Sequence, residues 1–204
     1  MFLEFGRDIC GQLEIAAKRE WLVTNGIGGF ASGTVTNMLT RRYHGLLMAA
    51  LQPPLGRTLL LAKLDETAEY DGTHAENGHY YPLFVNQWSN GTPLAEPDGH
   101  HHINSFHLEG TTPVWTFALA NALLEKRIWM QPGANTTYIH YRLARATGPL
   151  LLQAKAFTDY RDYHDTTIIN DWQPEILPIE RGLRIHTFPE AVPFYLFSDK
   201  ALLS

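Results

Sequence analysis

Cysteine is almost missing: Cys10 stands alone among 204 residues, which excludes an intrachain disulfide. No base can be argued to sit beside it, so a nucleophilic thiol is not expected either. Charge is scarce as well. Asp, Glu, Lys and Arg make up 18% of the chain, where about 25% is usual. Acidic residues outnumber basic ones 21 to 16, so the basic footprint of a nucleic-acid binder is absent. No apolar run approaches the roughly 18 residues that a membrane-crossing helix takes. The opening MFLEFGRDICGQ puts Glu4 and Asp8 where a secretory signal needs an apolar stretch. A soluble, cytoplasmic protein without nucleic-acid or membrane partners is expected. Also missing are a G-x-S-x-G elbow, a P-loop lysine pattern, internal repeats and persuasive amphipathic helices.

What is present suits strands. Hydrophobic residues reach 45%, enough for a core, and the length allows one large domain or two small ones at roughly 150 residues each. From Val114 to Asp159 the chain reads VWTFAL, LLEKRIWM, TTYIHYRLA and LLLQAKAFTD, punctuated by Ala120-Asn121, QPGAN and RATGP. Such pieces predict an antiparallel meander. In TTYIHYRL, Tyr138, His140 and Arg142 fall on one face and Ile139, Tyr141 and Leu143 on the other. The competing reading is a helix over Phe117–Trp129, but the flanking segments need a partner strand. Further strands are expected at Trp21–Thr24, Gly45–Ala50, Thr58–Ala68, Ile103–Leu108, Gly182–Phe188 and Pro193–Ser198. Leu13–Arg19 is the one short helix candidate, and Asp71–His102 reads as long polar loops. The fold class expected is an all-β sandwich or barrel.

Several apparent signals point nowhere. GIGGFA (Gly26–Ala31) matches the dinucleotide pattern letter by letter, but no amphipathic helix follows, and Leu46, Leu47 and Met48 stand where the acid belongs. A glycine turn is the better reading. Among ten histidines, the run His100-His101-His102 suggests metal, yet finger-like spacing and a cysteine partner are lacking. A solvated loop is preferred, and no metal or cofactor is expected. Sequons at Asn90 and Asn135 carry no meaning without secretion.

Three polar clusters remain: Glu20–Thr34 (EWLVTNGIGGFASGT), Thr40–His44 (TRRYH) and Phe157–Asp165 (FTDYRDYHD). Each mixes aromatic rings with charged or amide groups. That mixture suits sugars, whose apolar face stacks on rings and whose hydroxyl rim takes directional hydrogen bonds. The same residues also build ordinary buried networks. Asp65, Glu66, Asp159, Asp162 and Asp165 offer carboxylates for glycoside chemistry, which requires a defined spacing in space. Asp65 and Glu66 point to opposite faces of a strand, and arginine neighbours suggest that Asp159 and Asp162 are ion-paired.

The strings EWLVTNGIGGFASGT, TRRYHGLL (Thr40–Leu47), PPLGRTLLLAKLDE (Pro53–Glu66), LEKRIWM (Leu124–Met130) and FTDYRDYH (Phe157–His164) resemble the N-terminal domain of bacterial and archaeal glycogen debranching enzymes. The resemblance implies a large antiparallel β-sandwich that precedes an (α/α)6 barrel carrying the amylo-1,6-glucosidase chemistry. It implies a role in binding branched α-glucan and in packing on that barrel. No barrel sequence is seen in this chain, so 1–204 is expected to be one non-catalytic domain. The expected glucan contacts are Trp21, Asn25, Arg41, Arg42, Tyr43, His44, Arg161, Asp162 and Tyr163. Trp21 and Tyr43 would stack, and Arg41 or Arg42 would anchor hydroxyls or pair with Asp162. The alternatives are an assembly module without sugar affinity and a self-contained glucanotransferase using Asp65, Asp159 or Asp162. Surface meant for the barrel is expected to drive self-association of the isolated chain.

Overall fold

The computed structural model describes residues 3–53, 55–71, 79–90, 92–168 and 173–199. Most of the DGTHAENG stretch, Gly91 of the Asn90 sequon and the chain end from residue 200 lie outside the described residues.

Strand β1 (Glu4–Gly6) leads into two single-turn helices, α1 (Arg7–Cys10) and α2 (Leu13–Ala16). Strands β2 (Glu20–Thr24), β3 (Phe30–Thr34), β4 (Gly45–Gln52) and β5 (Gly56–Tyr70) follow. Next come β6 (His79–Pro82), β7 (Asn86–Asn90), β8 (Thr92–Glu96) and a 3₁₀ turn at Gly99–His102. The run β9 (Ile103–Glu109), β10 (Thr112–Leu119), β11 (Ala122–Met130) and β12 (Thr137–Arg145) precedes β13 (Leu150–Asp162). Strands β14 (Glu175–Ile179), β15 (Gly182–His186) and β16 (Phe194–Phe197) complete the series. One sheet has the order β1-β9-β10-β11-β12, and the second β13-β5-β4-β3-β2, with β6 added on β5. All pairings are antiparallel. Among the described residues no helix is long and apolar enough to cross a membrane.

The two sheets face each other across one core, the sandwich arrangement expected from the sequence. Trp21, Val23, Ala31, Leu46 and Leu61 of one sheet share a cluster with Phe106, Trp115, Phe117, Leu124 and Ile128 of the other. Trp21 meets Trp115 edge-on, with ring centroids 5.6 Å apart. Both indoles keep a partner for N–H: Trp21 donates to the Thr34 carbonyl at 3.2 Å and Trp115 to Val35 at 2.8 Å. Each such side chain contributes about 2–3 kcal/mol by leaving water.

Val114–Met130 forms the hairpin rather than the helix, turning at Ala120, whose φ is 50°. The meander nevertheless ends at β12. β13 crosses to the other sheet and pairs along β5 from Leu150↔Tyr70 to Asp162↔Thr58. Buried Tyr70 pins the crossing: its hydroxyl donates to Asn121 at 2.6 Å and accepts the Thr147 N–H at 3.0 Å. The Asp71–His102 stretch is also corrected. It contains β6, which extends β5, the β7–β8 hairpin and the 3₁₀ turn. Short aromatic pieces such as HYYP become strands there because a long neighbour offers them an edge. Within the turn His100 is 4% exposed, so it departs from the solvated loop expected for the three histidines, whereas His101 is exposed. The expected helix over Leu13–Arg19 shrinks to the one turn of α2.

Charge on the outer face of the first sheet is ordered around Glu125. Its carboxylate accepts from Arg142 at 2.8 Å and Arg127 at 2.7 Å, and Arg127 also reaches Glu109. These bonds, Arg142 foremost and Arg127 next, pull the Glu125 carboxyl from its usual 4.5 down to about 2. A carboxyl depressed in the folded state stabilises it fully above the ordinary value and progressively less as pH falls toward the depressed one. Stability should therefore drop from about pH 4.5 toward pH 2. Urea titrations across that window should show a flatter acid limb for Glu125→Gln.

Candidate functional site

The three polar clusters of the sequence meet in space, but not with the members expected. The first supplies a turn. Gly26 and Gly28 take φ of 80° and 104°, a region open to glycine, and so join β2 to β3 as an antiparallel hairpin. That geometry is not the strand-to-helix turn of a dinucleotide site, and Phe30–Thr34 continues as strand rather than loop.

Asn25, at the turn, is 2% exposed. Its Oδ1 accepts the N–H groups of Ile27 at 3.1 Å and Gly29 at 2.9 Å. Its Nδ2 donates to the Ala134 carbonyl at 3.1 Å and Asn135 Oδ1 at 3.0 Å. A side chain at Gly29 would bring its Cβ within 2.4 Å of Asn25 Nδ2. Asn135 in turn exchanges both hydrogen bonds with the Ala50 backbone, each 2.9 Å. Asn25 therefore has no group left for a sugar, and the Asn135 amide of the sequon is engaged in the same clamp. Trp21, 4% exposed, has no open ring face. The expectation that either residue contacts glucan is corrected by burial.

The second cluster splits in two. Arg41 grips Glu20 with Nε at 2.7 Å and Nη2 at 2.5 Å. His44, 3% exposed, accepts the Thr40 N–H on Nδ1 at 3.1 Å. Its Nε2 lies 3.4 Å from the Glu20 carboxylate without forming a hydrogen bond. The Arg41 hydrogen bond is the main influence holding the Glu20 carboxyl below its usual range. Burial lowers the His44 imidazole, with Glu20 opposing, and the acceptor role of Nδ1 makes His44 a structural residue. Beside Glu20 runs a shallow groove of 550 Å³ lined by Leu13, Ala17, Met38 and Ala95 among others. It shares no residue with the aromatic patch described next.

Arg42 and Tyr43 turn the other way and join the third cluster. Tyr43 is 38% exposed, and its hydroxyl lies 3.2 Å from His164 Nδ1. Its ring centroid is 5.8 Å from Tyr163 and 5.9 Å from His164, while Tyr163 and His164 lie 3.9 Å apart. Arg42 Nη1 donates to the His164 carbonyl at 2.6 Å. Arg57 ties this group to the glycine turn. Its Nε donates to Gly28 at 2.6 Å, its Nη1 to the Tyr163 hydroxyl at 3.3 Å, and its guanidinium sits 5.2 Å from the Tyr163 ring.

Arg161 is a positioning residue. It donates to the carbonyls of Arg42 at 2.7 Å, Asp165 at 2.8 Å and Asp162 at 3.1 Å, and faces Asp159 at 3.2 Å. Asp162 accepts the His164 N–H at 2.9 Å, which closes the turn after β13. No Arg41–Asp162 or Arg42–Asp162 ion pair is among those of the described residues, since both arginines are engaged elsewhere. Three other carboxylates are committed too. Asp65 faces Lys63 at 2.5 Å, Glu66 faces Lys126 at 2.7 Å on the opposite side of β5, and Asp159 also takes the Thr167 hydroxyl.

What remains is a group of exposed Tyr43 and His164 with half-buried Tyr163, edged by Arg42 and Arg57. Arg57 and His164 were not singled out in the sequence, although both lie within the quoted strings. The pairing of β5 with β13 is what brings Arg57 beside Tyr163: the Tyr163 N–H donates to the Arg57 carbonyl at 3.1 Å. The rings are inclined to one another by 40–85°, so exposed Tyr43 and His164 offer ring surface beside the planar donor of Arg42, a combination able to meet a polar ligand with an apolar face.

Comparison with known families matches residues 19–203 to a family described as glycogen debranching enzyme N terminal. Comparison with curated proteins and with solved structures gave no match.

Proposed function

The chain belongs to the glycogen debranching enzyme N-terminal family, and from that premise we propose that it binds branched α-glucan and completes the substrate cleft of a C-terminal glucosidase domain. In this reading the domain is non-catalytic and works in the cytoplasm. The observation that carries the reading is the Tyr43–Tyr163–His164 platform edged by Arg42 and Arg57. Tyr43 and Tyr163 stack on sugar rings, and the Arg42 guanidinium and the Tyr43–His164 pair address hydroxyls. Arg161 and Asp162 hold the platform in place.

Titrating the chain with glycogen and branched maltodextrin tests the proposal. Tyr43→Ala and Tyr163→Ala should each weaken binding about fivefold, the equivalent of about 1 kcal/mol per ring contact. Arg41→Ala, on the separate Glu20 cluster, should leave affinity unchanged. Full affinity in both tyrosine variants removes the platform from the site.

A second reading, an assembly module without sugar affinity, draws on a different surface. Tyr195 and Phe197 of β16 stack with centroids 5.9 Å apart, and they are 47% and 68% exposed. Rings so placed favour docking on a partner surface such as a catalytic domain. In its absence the chain should self-associate at high concentration. Static light scattering on the wild type and Phe197→Ser checks this, with a wild-type monomer as the contrary result.

A further inference from the structure

We propose that Asp98, His100 and His101 form a binding site for a divalent transition metal of the zinc type. Their donor atoms all lie within 4.8 Å of one another, close enough to be drawn onto one ion. The two imidazoles neighbour each other, with ring centroids 4.0 Å apart. His102 takes no part, because its ring packs edge-on against Tyr81 at 5.3 Å.

Two observations beyond the residue types support the site. His100 is 4% exposed, and its buried Nδ1 has no hydrogen-bond partner. Buried polar atoms are rarely left so, and coordination by one nitrogen of that ring supplies a reason to bury it there. The backbone carrying the donors is also held firmly. The His101 N–H donates to the Asp98 carbonyl at 3.1 Å. A Cβ at Gly99 would lie 2.3 Å from the Phe84 carbonyl oxygen and 2.5 Å from its nitrogen. The 3₁₀ turn therefore sits directly on the neighbouring backbone and presents Asp98 and His101, both exposed, around the buried ring.

The donor chemistry selects the ion. Two imidazoles and one carboxylate are the protein ligands zinc takes when a fourth position stays open to water. Imidazole also suits nickel, copper and iron, whereas calcium and magnesium require oxygen ligands. The inference reverses the sequence expectation that the chain holds no metal. It also stands apart from the glucan reading, since none of the platform residues takes part.

Calorimetric titration of tag-free full chain with zinc chloride tests it. One equivalent should bind. Magnesium should give no heat. Asp98→Asn and His101→Ala, both at exposed positions, should each lose about tenfold or more in affinity, the scale at which even outer partners of a metal site act. His140→Ala, an exposed histidine on β12, should bind as the wild type does. Cobalt in place of zinc should give visible absorption bands that His101→Ala abolishes. Absence of stoichiometric zinc binding, or binding that survives unchanged in both Asp98→Asn and His101→Ala, overturns the proposal.

Discussion

Lys126→Ala is expected to cost about 3–5 kcal/mol of stability, because it strands a buried charge. Lys126 is 1% exposed and Glu66 is not exposed at all. They face each other from β11 and β5, 60 residues apart in the chain, at 2.7 Å and 2.9 Å. The Tyr141 hydroxyl donates to the same carboxylate, and the ammonium lies 5.4 Å from the Trp115 ring. Removing the ammonium leaves Glu66 with the phenol alone, and the carboxylate must be neutralised or drag water between the sheets. For a chain of this size about 1 kcal/mol moves the melting temperature by roughly 2–4 °C, so a fall of at least about 6 °C follows. Lys126→Met combined with Glu66→Leu and Tyr141→Phe removes every member of the network and should recover most of the loss. Chemical and thermal denaturation of the wild type, Lys126→Ala and the triple variant decides the matter. Lys126→Ala within about 1 kcal/mol of the wild type would falsify the account, since breaking a buried pair costs more than that. Burial first, and Glu66 second, also raise the Tyr141 phenol well above 10. Its contribution is therefore complete below pH 10 and lost only as pH climbs beyond.

Asn25→Ala comes second in expected effect, at about 2–4 kcal/mol, because several buried groups lose their partner together. The N–H groups of Ile27 and Gly29 lose their acceptor, and the Ala134 carbonyl and Asn135 Oδ1 lose a donor. The side chain ties the β2–β3 turn to the β11–β12 turn, and the Asn25 backbone reinforces that link by accepting the Gly133 N–H at 2.8 Å. The variant should melt earlier, yet its glucan affinity per folded molecule should stay at the wild-type value. A large loss of affinity with unchanged stability would return Asn25 to the binding surface. Asn25→Asp should be milder in the turn, where it keeps the acceptor for Ile27 and Gly29, but it places a carboxylate against Asn135 Oδ1.

The difference between these residues and the platform explains how far the sequence could be read. In TTYIHYRL the two-residue alternation placed Ile139 and Tyr141 inward, and the burial of β12 follows it. Ala120-Asn121 and QPGAN marked the turns of the first sheet, because a turn imposes its backbone angles on a few adjacent residues. The glycines of GIGG likewise revealed a turn. Fold class and most strand positions were thus determined locally, by face patterning and turn chemistry, and the quoted strings carried the family.

Which strand neighbours which is a different kind of fact. LLLQAKAFTD reads as the next arm of the meander, but β5 offers it a long partner, so β13 crosses over. That crossing brings Tyr163 and His164 to Tyr43 and Arg57, which no window of sequence contains. Trp21 and Asn25 look like ligand residues because rings and amides serve sugars and buried networks equally well. The same ambiguity hid the Glu66–Lys126 pair and the buried His100. The sequence by itself determined an all-β chain of the debranching-enzyme family and the spans of its main strands. Only the tertiary structure decided which polar residues face water and which face each other, because burial and hydrogen-bond partnership are settled between segments far apart in the chain.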